Sequence, residues 1–151
     1  MARVEGWSNV EFVLIVKISK PNEDSRGPSQ ETALCVSVKP GAMTMAPWDQ
    51  TKNFSSDTVP TLIIAAQNDT IAPVNQFAIP FYNSIATTVS KMYVELAGAS
   101  HTTTNSANVT QAQFEVAFIK RFLDNDTRYT QFLCGITVPS TVSTFMSTCP
   151  F

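Results

Sequence analysis

Residues 57–69 read DTVPTLIIAAQND. From Thr61 to Ala66 the run carries no charge, and it is bounded by Pro60 on one side and the polar turn from Gln67 on the other. A strand with one wet face would alternate apolar and polar residues. This one does not, so both of its faces should meet protein, as in the middle of a parallel sheet. Downstream, residues 74–85 show helix-like spacing at Phe77, Pro80, Phe81 and Ile85. Pro80 must then sit in the first turn or kink the helix. Lys91 to Leu96, KMYVEL, alternates and reads as the next strand. A loop with Gly98 follows and carries His101, the single histidine of the chain. Gln111 to Leu123 places Phe114, Ala117, Phe118 and Phe122 on one face of an amphipathic helix. The order strand, loop, helix, strand, loop, helix predicts an α/β fold with a parallel sheet.

Upstream the text is less regular. Residues 41–47, GAMTMAP, read as a strand end followed by a break, and 33–38, ALCVSV, as a short strand. Residues 20–32 are polar with two prolines and a glycine, the composition of a loop or disordered stretch. Residues 10–19 are β-rich, and 1–8, MARVEGWS, resemble the end of a strand entering a turn.

Composition narrows the function classes. The 151 residues suit one domain with a real core, and 44% are hydrophobic. The net charge is −2 and only 15% of residues are charged, so there is no basic stripe for nucleic acid. No apolar run approaches the ~18 residues of a membrane span. Met1 to Glu5 has no apolar segment behind its one basic residue, so no signal peptide is expected at this start. Cys134 and Cys149 stand fifteen apart. A bond between them would tie down the C-terminus, worth ~3 kcal/mol in a loop-entropy account. Two reduced thiols fit the spacing equally well. Cys35 is left over, as a small buried hydrophobe. Without a CxxC, and with one histidine, a zinc site is not expected.

In open α/β sheets ligands bind beyond the carboxyl ends of the strands. Asp69 lies just past one strand and His101 just past the next, and sequential strands are usually neighbours. A carboxylate and an imidazole therefore reach one rim of the sheet, the arrangement needed to orient a general base. The bland alternative is an aspartate that merely caps its turn beside a surface histidine. A serine in G-x-S-x-G would be the third member. Gly6-Trp7-Ser8 supplies its first half, but Asn9 and Val10 follow where the second glycine belongs.

Several longer strings carry a resemblance. Residues 58–74, TVPTLIIAAQNDTIAPV, the run Ile79-Pro80-Phe81-Tyr82, and above all 121–134, RFLDNDTRYTQFLC, closely resemble the polyester hydrolases, the bacterial cutinases and PET hydrolases of the α/β-hydrolase fold. Ala46-Pro47-Trp48-Asp49 and the terminal Ser147 to Phe151 fit the same family. The similarity runs nearly unbroken over 41–151 and resumes briefly at 4–8. It implies Ser8 as nucleophile, Asp69 as triad acid and His101 as general base. It implies Asn9, the residue after the nucleophile, as an oxyanion donor. Trp48 becomes an aromatic flank of the substrate cleft and Ile71 an apolar wall. Cys134 and Cys149 match the family disulfide. The implied reaction is hydrolysis of hydrophobic esters or polyesters through an acyl-enzyme, with no cofactor, in a secreted protein.

The chain also departs from that pattern. The resemblance places it as a truncated domain: an elbow remnant at 1–8, an atypical segment at 9–40 and a C-terminal hydrolase portion at 41–151. The family's N-terminal half, with its share of the oxyanion hole, is missing, and residues 9–40 stand where family members have MGGGG and a helix. An unspliced or frame-shifted message would give this pattern. The alternative to an enzyme is therefore a catalytically inactive fragment or interaction remnant. Family calcium ligands appear here as Gln67, Ala97 and Ser143, and a second family disulfide as Ala66 and Thr103, so neither feature is expected. Four N-x-[ST] matches, at Asn53, Asn68, Asn108 and Asn125, arise easily by chance. Asp124, Asp126 and Arg128 read as a salt-bridged, capped helix end rather than a functional cluster. Composition and spacing leave the oligomeric state open.

Overall fold

A computed structural model describes residues 41–151 together with two short strands upstream. These are β1 (Ser19–Lys20) and β2 (Ser37–Val38), an antiparallel pair with Ser19 opposite Val38. Ser8, Asn9 and Cys35 lie outside the described residues.

The main sheet has four strands in the order β3-β4-β5-β6. β3 (Ala42–Met45) and β4 (Thr61–Ala66) are parallel, as are β4 and β5 (Lys91–Leu96), with Thr61 opposite Lys91 and Ala66 opposite Leu96. β6 (Val142–Ser147) closes the order antiparallel to β5, with a register irregularity at Glu95 and Leu96. The fold is α/β and mostly parallel, as expected. β6 has no counterpart in the sequence reading. Its residues VSTFMS are only partly buried, so they lack the apolar run that marks β4.

β4 is fully buried along its six residues. Leu62, Ile64 and Ala66 point to one side, with Met92, Val94 and Leu96 of β5. They pack against Phe114, Ala117, Phe118, Phe122 and Leu133. Ile63, Ala65 and Tyr93 point to the other side, against Phe54, Phe81, Tyr82 and Ile85. Covered on both faces, the strand gains from apolar burial at each position, and no polar alternation is needed.

The second layer is α1 (Ala78–Ser84), shorter than the 74–85 segment the spacing suggested. Residues 73–77 form turns instead, in which Pro73 O accepts from the N–H groups of Gln76 and Phe77. Pro80 does occupy the first turn, where a missing N–H costs nothing. The third layer is α2 (Val109–Phe118), continued by a π turn over Ile119–Leu123. The four residues placed on its inner face, Phe114, Ala117, Phe118 and Phe122, are all buried. Asn108 caps the helix by accepting from Gln111 N–H at 3.0 Å.

β5 departs from the alternating pattern in burial. Lys91 and Glu95, charged positions of that alternation, are 3% and 6% exposed. α1 covers that side of the sheet, so both charges are met by hydrogen bonds. Lys91 Nζ donates to Tyr82 O at 2.6 Å and Ile85 O at 2.5 Å, the carbonyls at the end of α1. Burial pushes the Lys91 ammonium below its ordinary range. Glu95 accepts from Tyr93 Oη at 2.5 Å and Ser143 Oγ at 2.6 Å. Burial first, and the bond to Glu95 second, hold the Tyr93 hydroxyl protonated well above its ordinary range.

The C-terminal segment is tied back covalently. Cys134 and Cys149 form a disulfide across fifteen residues, settling which of the two readings of their spacing holds. The 124–128 stretch takes the structural reading. Asp126 caps the 3-10 turn Thr127–Phe132 through Arg128 N–H and pairs with the Arg128 guanidinium at 2.7 Å. Lys120 pairs with Asp124 at 2.7 Å.

Candidate active site

The carboxyl ends of β4 and β5 are laced together by their own loops. Asn68 N–H donates to Ala99 O at 2.8 Å and Gln67 N–H to Leu96 O at 3.1 Å. Gln67 Oε1 accepts from Gly98 N–H at 2.8 Å. Gly98 has φ +68°, a left-handed conformation that glycine takes without a Cβ penalty. These bonds hold the two loops side by side. The side chains they carry meet as a result.

His101 Nδ1 lies 2.7 Å from Asp69 Oδ2. A carboxylate only accepts, so Nδ1 carries the hydrogen and the tautomer is fixed. The other oxygen, Asp69 Oδ1, accepts from Ile71 N–H at 2.9 Å and Ala72 N–H at 2.7 Å. The turn-capping bonds and the bond to the imidazole therefore coexist, one oxygen to each. The turn it caps is what aims the carboxylate. The Asp69 side chain is 1% exposed and that of His101 12%. Little water competes for the bond, which strengthens it.

His101 opens a 3-10 turn, His101–Asn105. Thr103 Oγ1 accepts from Ser100 N–H at 3.0 Å at its start, and Thr104 Oγ1 donates to His101 O at 3.0 Å from inside it. Gln111, on α2, donates to Thr104 O at 3.0 Å. Neither Gln67 nor Gln111 was marked as part of the site by the sequence. Gln67 accepts from Gly98 thirty-one positions on, and Gln111 bonds Thr104 O seven positions back, neither at a spacing that a helix or strand period announces.

Trp48 and Ile71 are 39% and 62% exposed. Trp48 follows Ala46, whose φ of +43° turns the chain out of β3. Its ring lies 6.0 Å from that of Phe77, which carries Lys52 Nζ 3.5 Å above its centroid. Ile71 follows the Asp69 turn directly, on the loop that the carboxylate caps. A cavity of about 730 Å³ on α2, lined by Val109, Val116 and Phe132 among others, is bordered by neither Asp69 nor His101. Gln67 and Ser143 are engaged with Gly98 and Glu95.

Comparison with known proteins bears on what such a rim belongs to. The model of the PET hydrolase-like family matches residues 25–150. The chain belongs to the PET hydrolase-like family. Cutinase 1 of Thermobifida cellulosilytica is 52% identical over 115 residues, 73% of this chain and 43% of that protein. The cutinase of Thermobifida fusca is 52% identical over 115 residues, 73% of this chain and 38% of its own. A bis(hydroxyethyl) terephthalate hydrolase of Streptomyces coelicolor is 40% identical over 110 residues, 72% and 36% respectively. The chain thus spans roughly two fifths of the length of the curated relatives it matches. Family membership carries the α/β-hydrolase fold, of which this sheet and its two helical layers form a part.

Proposed function

We propose that the chain carries the chemistry of a serine ester hydrolase of the cutinase and PET hydrolase type, acting on hydrophobic esters or polyesters. The observation that supports it most is the largely shielded 2.7 Å bond between His101 and Asp69 at the carboxyl rim of the sheet. With Nδ1 held by the carboxylate, Nε2 is the nitrogen that takes the Ser8 hydroxyl proton as Ser8 Oγ attacks the ester carbonyl. The tetrahedral oxyanion is met by Asn9 N–H. His101 returns the proton to the leaving alcohol, and the acyl group stays on Ser8. A water, deprotonated by His101, attacks that ester; the bond from Ser8 Oγ to the acyl carbon breaks, His101 returns the proton to Ser8 Oγ, and the acid leaves. Trp48 and Ile71 supply apolar contact to the acyl part. No step needs a metal or a redox partner.

The relatives' names support the substrate class: cutinases, and a hydrolase of bis(hydroxyethyl) terephthalate. The Cys134–Cys149 bond suits an oxidising compartment, and with the family it supports secretion. Among the described residues no helix is long and apolar enough to cross a membrane.

The test is turnover of p-nitrophenyl butyrate by the 151-residue chain beside its Ser8→Ala variant. Turnover lost in the variant is the expected result. No turnover in either supports the other reading, an inactive fragment or interaction remnant, and equal turnover in both removes Ser8 as the nucleophile.

A further inference from the structure

Gln111 is a buried amide on α2, 6% exposed, whose Nε2 lies within bonding distance of acceptors on three elements. It reaches Thr104 O at 3.0 Å in the His101 turn, Glu115 Oε1 at 2.9 Å on α2 and Met45 Sδ at 2.9 Å at the end of β3. Its own Oε1 is buried without a partner among the described residues. That orphan carbonyl costs free energy, which the bonds made by Nε2 offset. The chain from Gln111 leads to one place. Nε2 donates to Thr104 O, and Thr104 Oγ1 donates to His101 O. Thr104 is itself 3% exposed; its bond from Gln111 is buried and its bond to His101 partly so. The imidazole is gripped at Nδ1 by Asp69 and at its own backbone by this relay.

We propose that Gln111 is a positioning residue: through Thr104 it fixes the backbone of His101, so that the ring meets Asp69 in the bonded orientation. It acts on neither substrate nor reacting atoms. The inference rests on the proposed role of the Asp69–His101 pair but not on Ser8 or on turnover.

The single histidine makes a direct test available. In the full chain labelled with ¹⁵N-histidine, every imidazole signal belongs to His101. Its Nδ1-bound proton, held by a carboxylate, should resonate far downfield. In Gln111→Leu that signal is expected to broaden, with exchange against water at least about tenfold faster as the turn opens locally. The disulfide and the far-ultraviolet spectrum should stay as in the parent. Phe114→Leu, a core change on the same helix, serves as the control and should lower the melting temperature without touching the signal. Should Gln111→Leu fail to fold, Thr104→Val removes the second link at nearly constant volume and should give the same loss. A downfield proton unchanged in the folded variant, or disturbed equally by Phe114→Leu, overturns the role of Gln111 alone. A parent chain without that proton overturns the Asp69–His101 pairing as well.

Discussion

Asp69 performs two jobs on two oxygens, and two substitutions separate them. Asp69→Ala removes both. The N–H of Ala72, a residue 3% exposed, then loses its acceptor inside the fold, whereas the exposed Ile71 can bring its own to water. One orphaned buried donor costs about 1–3 kcal/mol. For a domain of this size, each kcal/mol shifts the melting temperature by about 2–4 °C. A fall of about 2–12 °C is expected for Asp69→Ala. Asp69→Asn keeps Oδ1 on its two N–H groups but turns an NH₂ toward His101. The loop should survive, with a loss under about 2 °C. The ring should change instead. Nδ1 now meets a donor, so it becomes the acceptor and the hydrogen moves to Nε2, the wrong tautomer for a base. ¹⁵N shifts of the sole imidazole read this directly. Where esterase turnover is measurable, it should fall by about 10⁴. Two results refute the reasoning: Asp69→Asn as destabilising as Asp69→Ala, or a ring still protonated at Nδ1 in Asp69→Asn.

Two further outcomes follow from groups away from the rim. Burial lowers the Lys91 ammonium from its ordinary 10.5, so the unfolded chain binds the extra proton in the interval below that value. Stability should therefore rise with pH through the interval, and Lys91→Met should abolish that rise in urea titrations. Tyr82 and Tyr93, both raised by burial, give an opposite slope above their ordinary 10.0, which cancels in the comparison of the two proteins. Opening the Cys134–Cys149 bond, as Cys134→Ser with Cys149→Ser, should cost about 3 kcal/mol and about 6–12 °C in melting temperature. A calorimetric scan beside the parent checks it.

What the sequence carried by itself was local and periodic. The unbroken apolar run 61–66 announced a strand covered on both faces, and Phe114, Ala117, Phe118 and Phe122 announced the inner face of a helix. Asp69 and His101 each followed a strand, and parallel neighbours bring such positions to one rim. Each of these depends on spacings of a few residues, which the chain repeats along its length. The tertiary structure decided matters in which the partner is remote. It placed β6 antiparallel on β5, although its residues lack a strand-like apolar pattern. It buried Lys91 and Glu95, because α1 and β6 supply carbonyls and hydroxyls to receive them. It set Asp69 Oδ2 against His101 Nδ1 and laced Gln67 to Gly98. A hydrogen bond across thirty residues leaves no period in the sequence. Only the closed fold brings its two ends within 3 Å.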